Sequence, residues 1–326
     1  MTSESETLTQ VPPGAPRVSV CVVADGDPTH LSKLLAALDS QSLGSDEYEI
    51  IVVENGSSDS TRSLLSDFAS KSRAALRIVR NDSPAEMATA LDQAWKAALA
   101  PLMAFIEPRF TPASGWLFAG IERLQRRPHV GYGLLLTQPG QEDRSGFLWN
   151  RYFDDSWQRR RFTTANLFCR RADLIAAGGW SSNIAGGTID LVSRIVANTE
   201  ATPAFIRNAV VYHDIDDTPL KKRLVRTLTQ PFPPASVSRR VLAGGLFWQT
   251  VDWQALLALL GLVGILRDRR LIFLAVPWLH HRTCVLPLCD GPKRRWAVLP
   301  GVFVMDLLAV VGAARGASAR SGQLVL

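Results

Sequence analysis

The sequence predicts an α/β protein: a doubly wound, mostly parallel sheet, followed by an apolar and basic helical extension. Three observations predict it. Between residues 17 and 107, four short apolar runs alternate with helical patterns, the βαβ order of a parallel sheet. Hydrophobic residues make up 47% of the 326 residues and charged residues 20%, enough to bury a large core and too apolar for a disordered chain. Charge is divided along the chain. Residues 1–217 carry 21 Lys and Arg against 26 Asp and Glu, residues 218–326 carry 15 against 4, and the whole has a formal charge of +6. An acidic body with a basic end directs that end to an anionic surface, membrane lipid or nucleic acid.

Each element follows in order. Residues 1–16 are polar and acidic, lack the basic and apolar start of a signal peptide, and read as a disordered leader. The β-branched run from Val18 to Val23 is a strand buried on both faces. Asp25-Gly26-Asp27-Pro28 turns the chain, and Leu31, Leu34, Leu35 and Leu38 repeat at helical spacing with Thr29 as the expected N-cap. Glu49 to Val53 is a second buried strand. Glu54-Asn55-Gly56-Ser57-Ser58-Asp59 is a polar loop, and Ser60 to Ser70 a helix. Leu76 to Val79 is a third strand, Ala85 to Ala100 an Ala-rich helix, and Leu102 to Ile106 a fourth strand that runs into Glu107.

Ligands of such sheets sit at the carboxyl ends of the strands. The candidate positions are therefore Ala24–Asp27, Glu54–Ser58, Asn81–Asp82 and Glu107–Arg109. No Gly-x-Gly-x-x-Gly follows the first strand and no Gly-x-x-x-x-Gly-Lys-Ser/Thr occurs, which argues against nicotinamide, flavin and P-loop nucleotide sites.

Beyond residue 110 the pattern is mixed. Trp116 to Arg126 and Arg171 to Ala177 read as helices, the second capped by Gly178-Gly179, and Asp190 to Ala197 as another. Val130 to Thr137, Thr164 to Cys169, Ala204 to Ile206 and Val210 to Tyr212 read as strands, the last running into His213-Asp214. From residue 218, basic clusters flank apolar stretches at 255–266, 271–279 and 296–314. None has the roughly 20 residues of a spanning helix, but the basic flanks and edge tryptophans suit helices lying in a membrane interface. A buried helical subdomain is the other reading. No nucleic-acid-binding motif accompanies the charge, so no nucleic-acid partner is expected. Four scattered cysteines point to a reducing cytoplasm, and His280, His281, Cys284 and Cys289 lack zinc-ligand spacing.

The order of segments resembles the family-2 glycosyltransferases. The most specific match is Val52-Val53-Glu54-Asn55-Gly56-Ser57-Ser58-Asp59-Ser60-Thr61, a strand ending in an acid followed by a Gly/Ser/Asp/Thr loop. Glu107-Pro108-Arg109 stands where that family has Asp-x-Asp. Gly178-Gly179-Trp180, Asp190-Leu191-Val192-Ser193-Arg194 and Val210-Val211-Tyr212-His213 stand at its Gly-Gly-aromatic turn, Asp-Leu-x-x-Arg helix and closing strand. The resemblance covers about residues 17–215. It implies a nucleotide-diphospho-sugar transferase fold, divided into a donor half (17–110), an acceptor half (111–217) and the membrane-associated extension (218–326).

The resemblance also implies an activity: transfer of a sugar from a nucleotide-diphosphate donor to a lipid-linked, glycan or peptide acceptor, with inversion, on the inner face of the plasma membrane. It assigns donor binding to Ala24, Asp25, Glu54, Asn81, Asp82, Glu107 and Arg109, and a Mg2+ or Mn2+ ion to Glu107 and His213. Asp190 is its nearest carboxylate to a general base; Asp154 and Asp155 are further candidate bases in the sequence. Two positions depart from the family pattern: Arg109 replaces half of the acidic metal motif, and Gly187-Thr188 replace an acidic pair. Arg109 cannot ligate a metal but can pair with a diphosphate, so donor binding without metal stays open. So does a non-catalytic relative that partners or scaffolds a second transferase.

Overall fold

A computed structural model describes residues 14–25, 27–56, 58–126, 128–139, 163–180, 187–201, 203–214, 250–285, 296, 299–304 and 306–307. The Arg159–Arg161 run, Asp154, Asp155, Cys289 and the basic residues between 218 and 249 lie outside them. The chain divides into two compact units. The first comprises Met1–Leu135, Phe162–Ser182 and Arg194–His213; the second comprises Leu136–Arg161, Asn183–Ser193 and Asp214–Leu326.

The first unit is built on strands β1 (Val18–Ala24), β2 (Tyr48–Asn55), β3 (Ala75–Asn81), β4 (Leu102–Phe105), β5 (Phe110–Pro112), β6 (Val130–Thr137), β7 (Leu167–Arg170) and β8 (Ala204–His213). Their order in the single sheet is β3-β2-β1-β4-β7-β6-β8-β5. The parallel part is β3-β2-β1-β4. The pairs β4–β7, β6–β7 and β5–β8 are antiparallel, so the parallel register belongs to the first four strands. Residues 204–213 form one continuous strand where the pattern suggests two short ones, and β5, three residues ending in Pro112, has no period by which to foresee it.

β1 and β2 are buried along their whole length because helices cover both faces. Val18, Val20, Val22, Ile50 and Val52 alternate into a cluster with Leu31, Leu34, Leu35 and Leu38 of α1 (Pro28–Asp39), Leu65 of α2 (Asp59–Lys71) and Leu117 and Leu124 of α4 (Trp116–Gln125). The opposite face carries α3 (Met87–Lys96). Each fully buried Leu or Val in this core is worth about 1.5–3 kcal/mol.

Helix ends are fixed by side chains. Asp27, not Thr29, caps α1: its carboxylate accepts from the Thr29 amide at 2.8 Å, and Pro28 takes the first helical position. α5 (Arg171–Ala177) closes as expected on two left-handed glycines, with the Gly178 and Gly179 amides donating to Ile175 O and Leu174 O. α6 spans Gly187–Thr199. Residues 164–166 form a 3-10 turn rather than strand, because Thr163 Oγ1 accepts from the Ala165 amide.

In the second unit, α7 (Thr250–Gly264) is followed by a 3-10 segment (Arg269–Ala275), α8 (Val276–His280) and a π turn (His281–Val285). Ala255, Ala258, Trp278, Leu299 and Val302 form its core. Asp306 is fully buried there. It accepts from Trp278 Nε1 at 2.8 Å and Arg282 Nε at 3.0 Å, with a second bond from the Arg282 guanidinium. That pairing makes the buried charge tolerable. Among the described residues no helix is long and apolar enough to cross a membrane.

Candidate functional site

The carboxyl edge of β1, β2 and β3 places Ala24, Glu54 and Arg80 side by side in register, and Asn55 beside Asn81. Ala24 is buried, while Asp25 just beyond it is exposed. Glu54, one residue before the end of β2, has only 1% of its surface exposed. Its Oε1 accepts from Arg62 Nε at 2.7 Å. Its Oε2 has Arg80 Nε at 3.5 Å but no hydrogen bond. A buried carboxylate needs such cations, since desolvation otherwise costs several kcal/mol. The Glu54 bond holds the Arg62 guanidinium above its ordinary pKa, with Asp59 and Asp82 adding field. Asp82 is exposed.

Asn81 faces inward to the protein. Its Nδ2 donates to Asn55 Oδ1 at 3.1 Å and Gln93 Oε1 at 2.9 Å, and its Oδ1 accepts from Gln93 Nε2 at 3.0 Å. Asn55 in turn brackets Ala85, accepting from its amide at 2.8 Å and donating to its carbonyl at 3.0 Å. With both backbone groups held there, residue 85 stays out of α3, which starts at Met87 rather than Ala85. Gly56 (φ +68°) passes so near Pro84 that an added Cβ would meet its ring at 2.5 Å. Asn55, Asn81 and Gly56 thus lock the loop after β2 onto the loop after β3.

The second group of candidates surrounds the turn after β4. The Phe110 amide donates to Glu107 O at 3.0 Å, closing residues 107–110. Glu107 is half-buried and its Oε1 accepts from Thr164 Oγ1 at 2.6 Å. Arg109 is exposed and makes no ion pair among the described residues. His213 pairs with Phe110 across β5 and β8, their rings 5.7 Å apart at 66°. Glu107, Arg109 and His213 therefore share one turn and its flanking ladder.

Near the same strand end, Trp180 packs edge-on against Phe105, centroids 4.7 Å apart. The Trp180 amide donates to Asp92 Oδ1 at 2.9 Å, and Arg194 grips the carbonyls of Ala177 and Gly179. The Gly-Gly-Trp turn is thus held from both sides. Asp190 lies in the first turn of α6, in the second unit, and is buried.

A hard divalent cation takes about six oxygen ligands. Among the described residues no three His, Cys, Asp or Glu side chains gather to supply them. Glu107 already accepts from Thr164, and a guanidinium follows two residues later. Among the described residues Glu107 is thus the one carboxylate of this turn, and a cation here would draw its remaining ligands from the donor's phosphates and water.

Three participants escape sequence reasoning. Arg80 faces Glu54 only once the strand register is known. Arg62 lies eight residues along the chain, across the loop in the first turn of α2. Thr164 reaches Glu107 across 57 residues.

Residues 19–182, half the chain, match the profile of glycosyl transferase family 2. Glycosyltransferase AglE of Haloferax volcanii is 26% identical over 186 residues, 55% of this chain and 61% of that protein, so the chain spans less than two thirds of this relative. Among solved structures, mannosyltransferase PcManGT from Pyrobaculum calidifontis in complex with GDP-Man and Mn2+ superimposes with a TM-score of 0.59 at 16% identity, covering 92% of this chain and 87% of that one. S. aureus TarS 1–349 in complex with UDP-GlcNAc gives a TM-score of 0.52 at 13% identity, covering 94% and 92%. At these identities the likeness is one of fold.

Proposed function

The chain belongs to glycosyl transferase family 2, and from that premise we propose that it moves a sugar from a nucleotide-diphosphate donor to a lipid-linked, glycan or peptide acceptor at the cytoplasmic membrane surface. The observation that carries this reading is the carboxyl edge of the parallel strands. Glu54, Asn81 and Asp82 stand at the ends of β2 and β3, and Glu107, Arg109 and His213 gather after β4.

The chemistry asked of the site is a displacement. The acceptor oxygen forms a bond to the anomeric carbon as the bond from that carbon to the β-phosphate oxygen breaks, leaving the electron pair on the phosphate. Attack from the face opposite the leaving group inverts the anomeric centre. The acceptor hydroxyl loses its proton to a base, a role we assign to Asp190. We assign the nucleoside side to the exposed Asp25 and Asp82, with Ala24, Glu54 and Asn81 backing that wall from within, and the diphosphate side to Glu107, Arg109 and His213. The exposed apolar surface of α7 supports action at a membrane.

Release of nucleoside diphosphate from a panel of UDP- and GDP-sugars, incubated with protein and membrane extract, tests this. Turnover lost in Asp190→Asn with binding retained supports the reading. Absence of binding to every donor sinks it. Gly187-Thr188 at the position of an acidic pair favours a second reading, a non-catalytic partner of another transferase. That reading predicts donor binding without turnover and copurification with an active enzyme.

A further inference from the structure

The turn after β4 presents a cation where the donor's most concentrated charge must be met. A nucleotide diphosphate carries its negative charge on the two phosphates, and that charge grows on the outer phosphate as the sugar leaves. Something positive has to face it. A divalent ion is one solution, but the protein supplies little to hold one here: no set of three ligating residues gathers among those described, Thr164 donates to Glu107 Oε1 at 2.6 Å, and an arginine stands two residues on.

Arg109 is the positive group in this turn. It is exposed, unlike Arg62, which is engaged with Glu54, and it makes no ion pair among the described residues. Its backbone is fixed by the Phe110–Glu107 hydrogen bond and by pairing of the next residue with His213. The guanidinium fork matches phosphate oxygens bidentately and cannot lose its proton near neutral pH.

We propose that Arg109 binds the donor diphosphate directly and that this site works without a divalent cation, resting on the donor reading above. Glu107 then acts as a positioning residue: its bond to Thr164 ties the turn to the 3-10 turn that leads into β7 and leaves Arg109 as the exposed charged group. His213, edge-on to Phe110, adds an imidazole to the same side. During transfer Arg109 stabilises the electron pair arriving on the departing phosphate.

Calorimetry of the full-length chain with UDP, GDP, UMP and GMP tests this, each titrated in EDTA and again in Mn2+ or Mg2+. At least one diphosphate is expected to bind equally, within about threefold, in EDTA and in metal. Its preference over the matching monophosphate should fall tenfold or more in Arg109→Ala, the scale of a charge-assisted hydrogen bond, and recover in part in Arg109→Lys. Monophosphate affinity should stay unchanged in both variants. Binding that appears only with metal overturns the proposal, as does an Arg109→Ala chain that keeps the diphosphate preference. If no nucleotide binds in any arm, the donor reading falls and this inference with it. Because Arg109 is exposed, both variants should fold, which an unchanged thermal midpoint verifies.

Discussion

Arg62 Nε donates to Glu54 Oε1 at 2.7 Å, joining the penultimate residue of β2 to the first turns of α2. The bond is unequal in burial: the carboxylate is enclosed, the guanidinium half-exposed. Removing each partner therefore has a different consequence. Arg62→Ala leaves a buried carboxylate facing only Arg80 at 3.5 Å. Glu54→Gln leaves two arginines that water can solvate. Arg62→Ala is expected to lower the denaturation midpoint more than Glu54→Gln, and adding Glu54→Gln to Arg62→Ala should recover part of the loss. Guanidinium chloride titrations with an unchanged m-value check the order. The reverse order would mean that Arg80 alone satisfies Glu54.

The two glycines after α5 should not be equivalent. Both adopt left-handed backbone, φ +76° at Gly178 and +71° at Gly179, but a Cβ on Gly178 meets nothing within 4 Å while one on Gly179 would lie 2.4 Å from Asp92 Oδ1. Gly178→Ala incurs only the backbone penalty, about 1 kcal/mol. Gly179→Ala adds a clash and pushes away the carboxylate that holds the Trp180 amide, for a total of about 2–4 kcal/mol. Equal stability of the two variants would show that Asp92 moves freely.

Cys21 and Cys169 give a pH dependence. Both are buried, and burial pushes their thiols above the ordinary value near 9.0, with Cys169 adding to the shift at Cys21 and Asp173 to that at Cys169. An acid whose folded pKa is raised contributes stability that is complete below the unfolded value and declines above it. The unfolded chain releases these protons from about pH 9 upward while the folded one keeps them. Stability should therefore fall above about pH 9, and less steeply in a Cys21→Ala, Cys169→Ala chain. In the native protein at about pH 8, below the thiols' ordinary range, iodoacetamide should leave both unmodified by peptide mass mapping. Rapid labelling of either one contradicts their enclosure.

Much of this architecture is legible in the sequence, and the parts that are not share a cause. β1, β2, α4 and α5 announce themselves through period and glycine punctuation, which the local sequence carries whatever packs against it. The sequence pattern overextends α3 because the helix ends are set by distant side chains: Asn55 holds Ala85, while the Leu99 and Ala100 amides donate to Glu49 Oε1 and Ser19 Oγ. Those bonds join residues 30 to 81 positions apart. The site behaves the same way. Glu54, Glu107, Arg109 and His213 can be nominated from strand ends, but that Thr164 takes one oxygen of Glu107, or that Asn81 commits its amide to Gln93, depends on pairings no local pattern encodes.

The end of α7 bears on where the protein works. Leu260, Val263 and Leu266 are exposed by 61%, 63% and 91%, and Phe273 on the following 3-10 segment by 70%. Arg267, Arg269 and Arg270 stand exposed between them. Apolar residues beside a basic cluster suit the boundary between headgroups and acyl chains, each inserted Leu contributing about 1.5 kcal/mol and each Arg about 1 kcal/mol near anionic lipid. The protein is expected to sediment with vesicles containing phosphatidylglycerol more than with phosphatidylcholine alone, and less as salt rises. Leu260→Glu with Leu266→Glu should reduce binding to both vesicle types at least tenfold. Arg267→Gln, Arg269→Gln and Arg270→Gln together should remove mainly the preference for anionic lipid, because the apolar contribution survives. If the double Glu variant sediments like the parent, these side chains do not enter the bilayer, and the membrane reading loses the surface on which it stands.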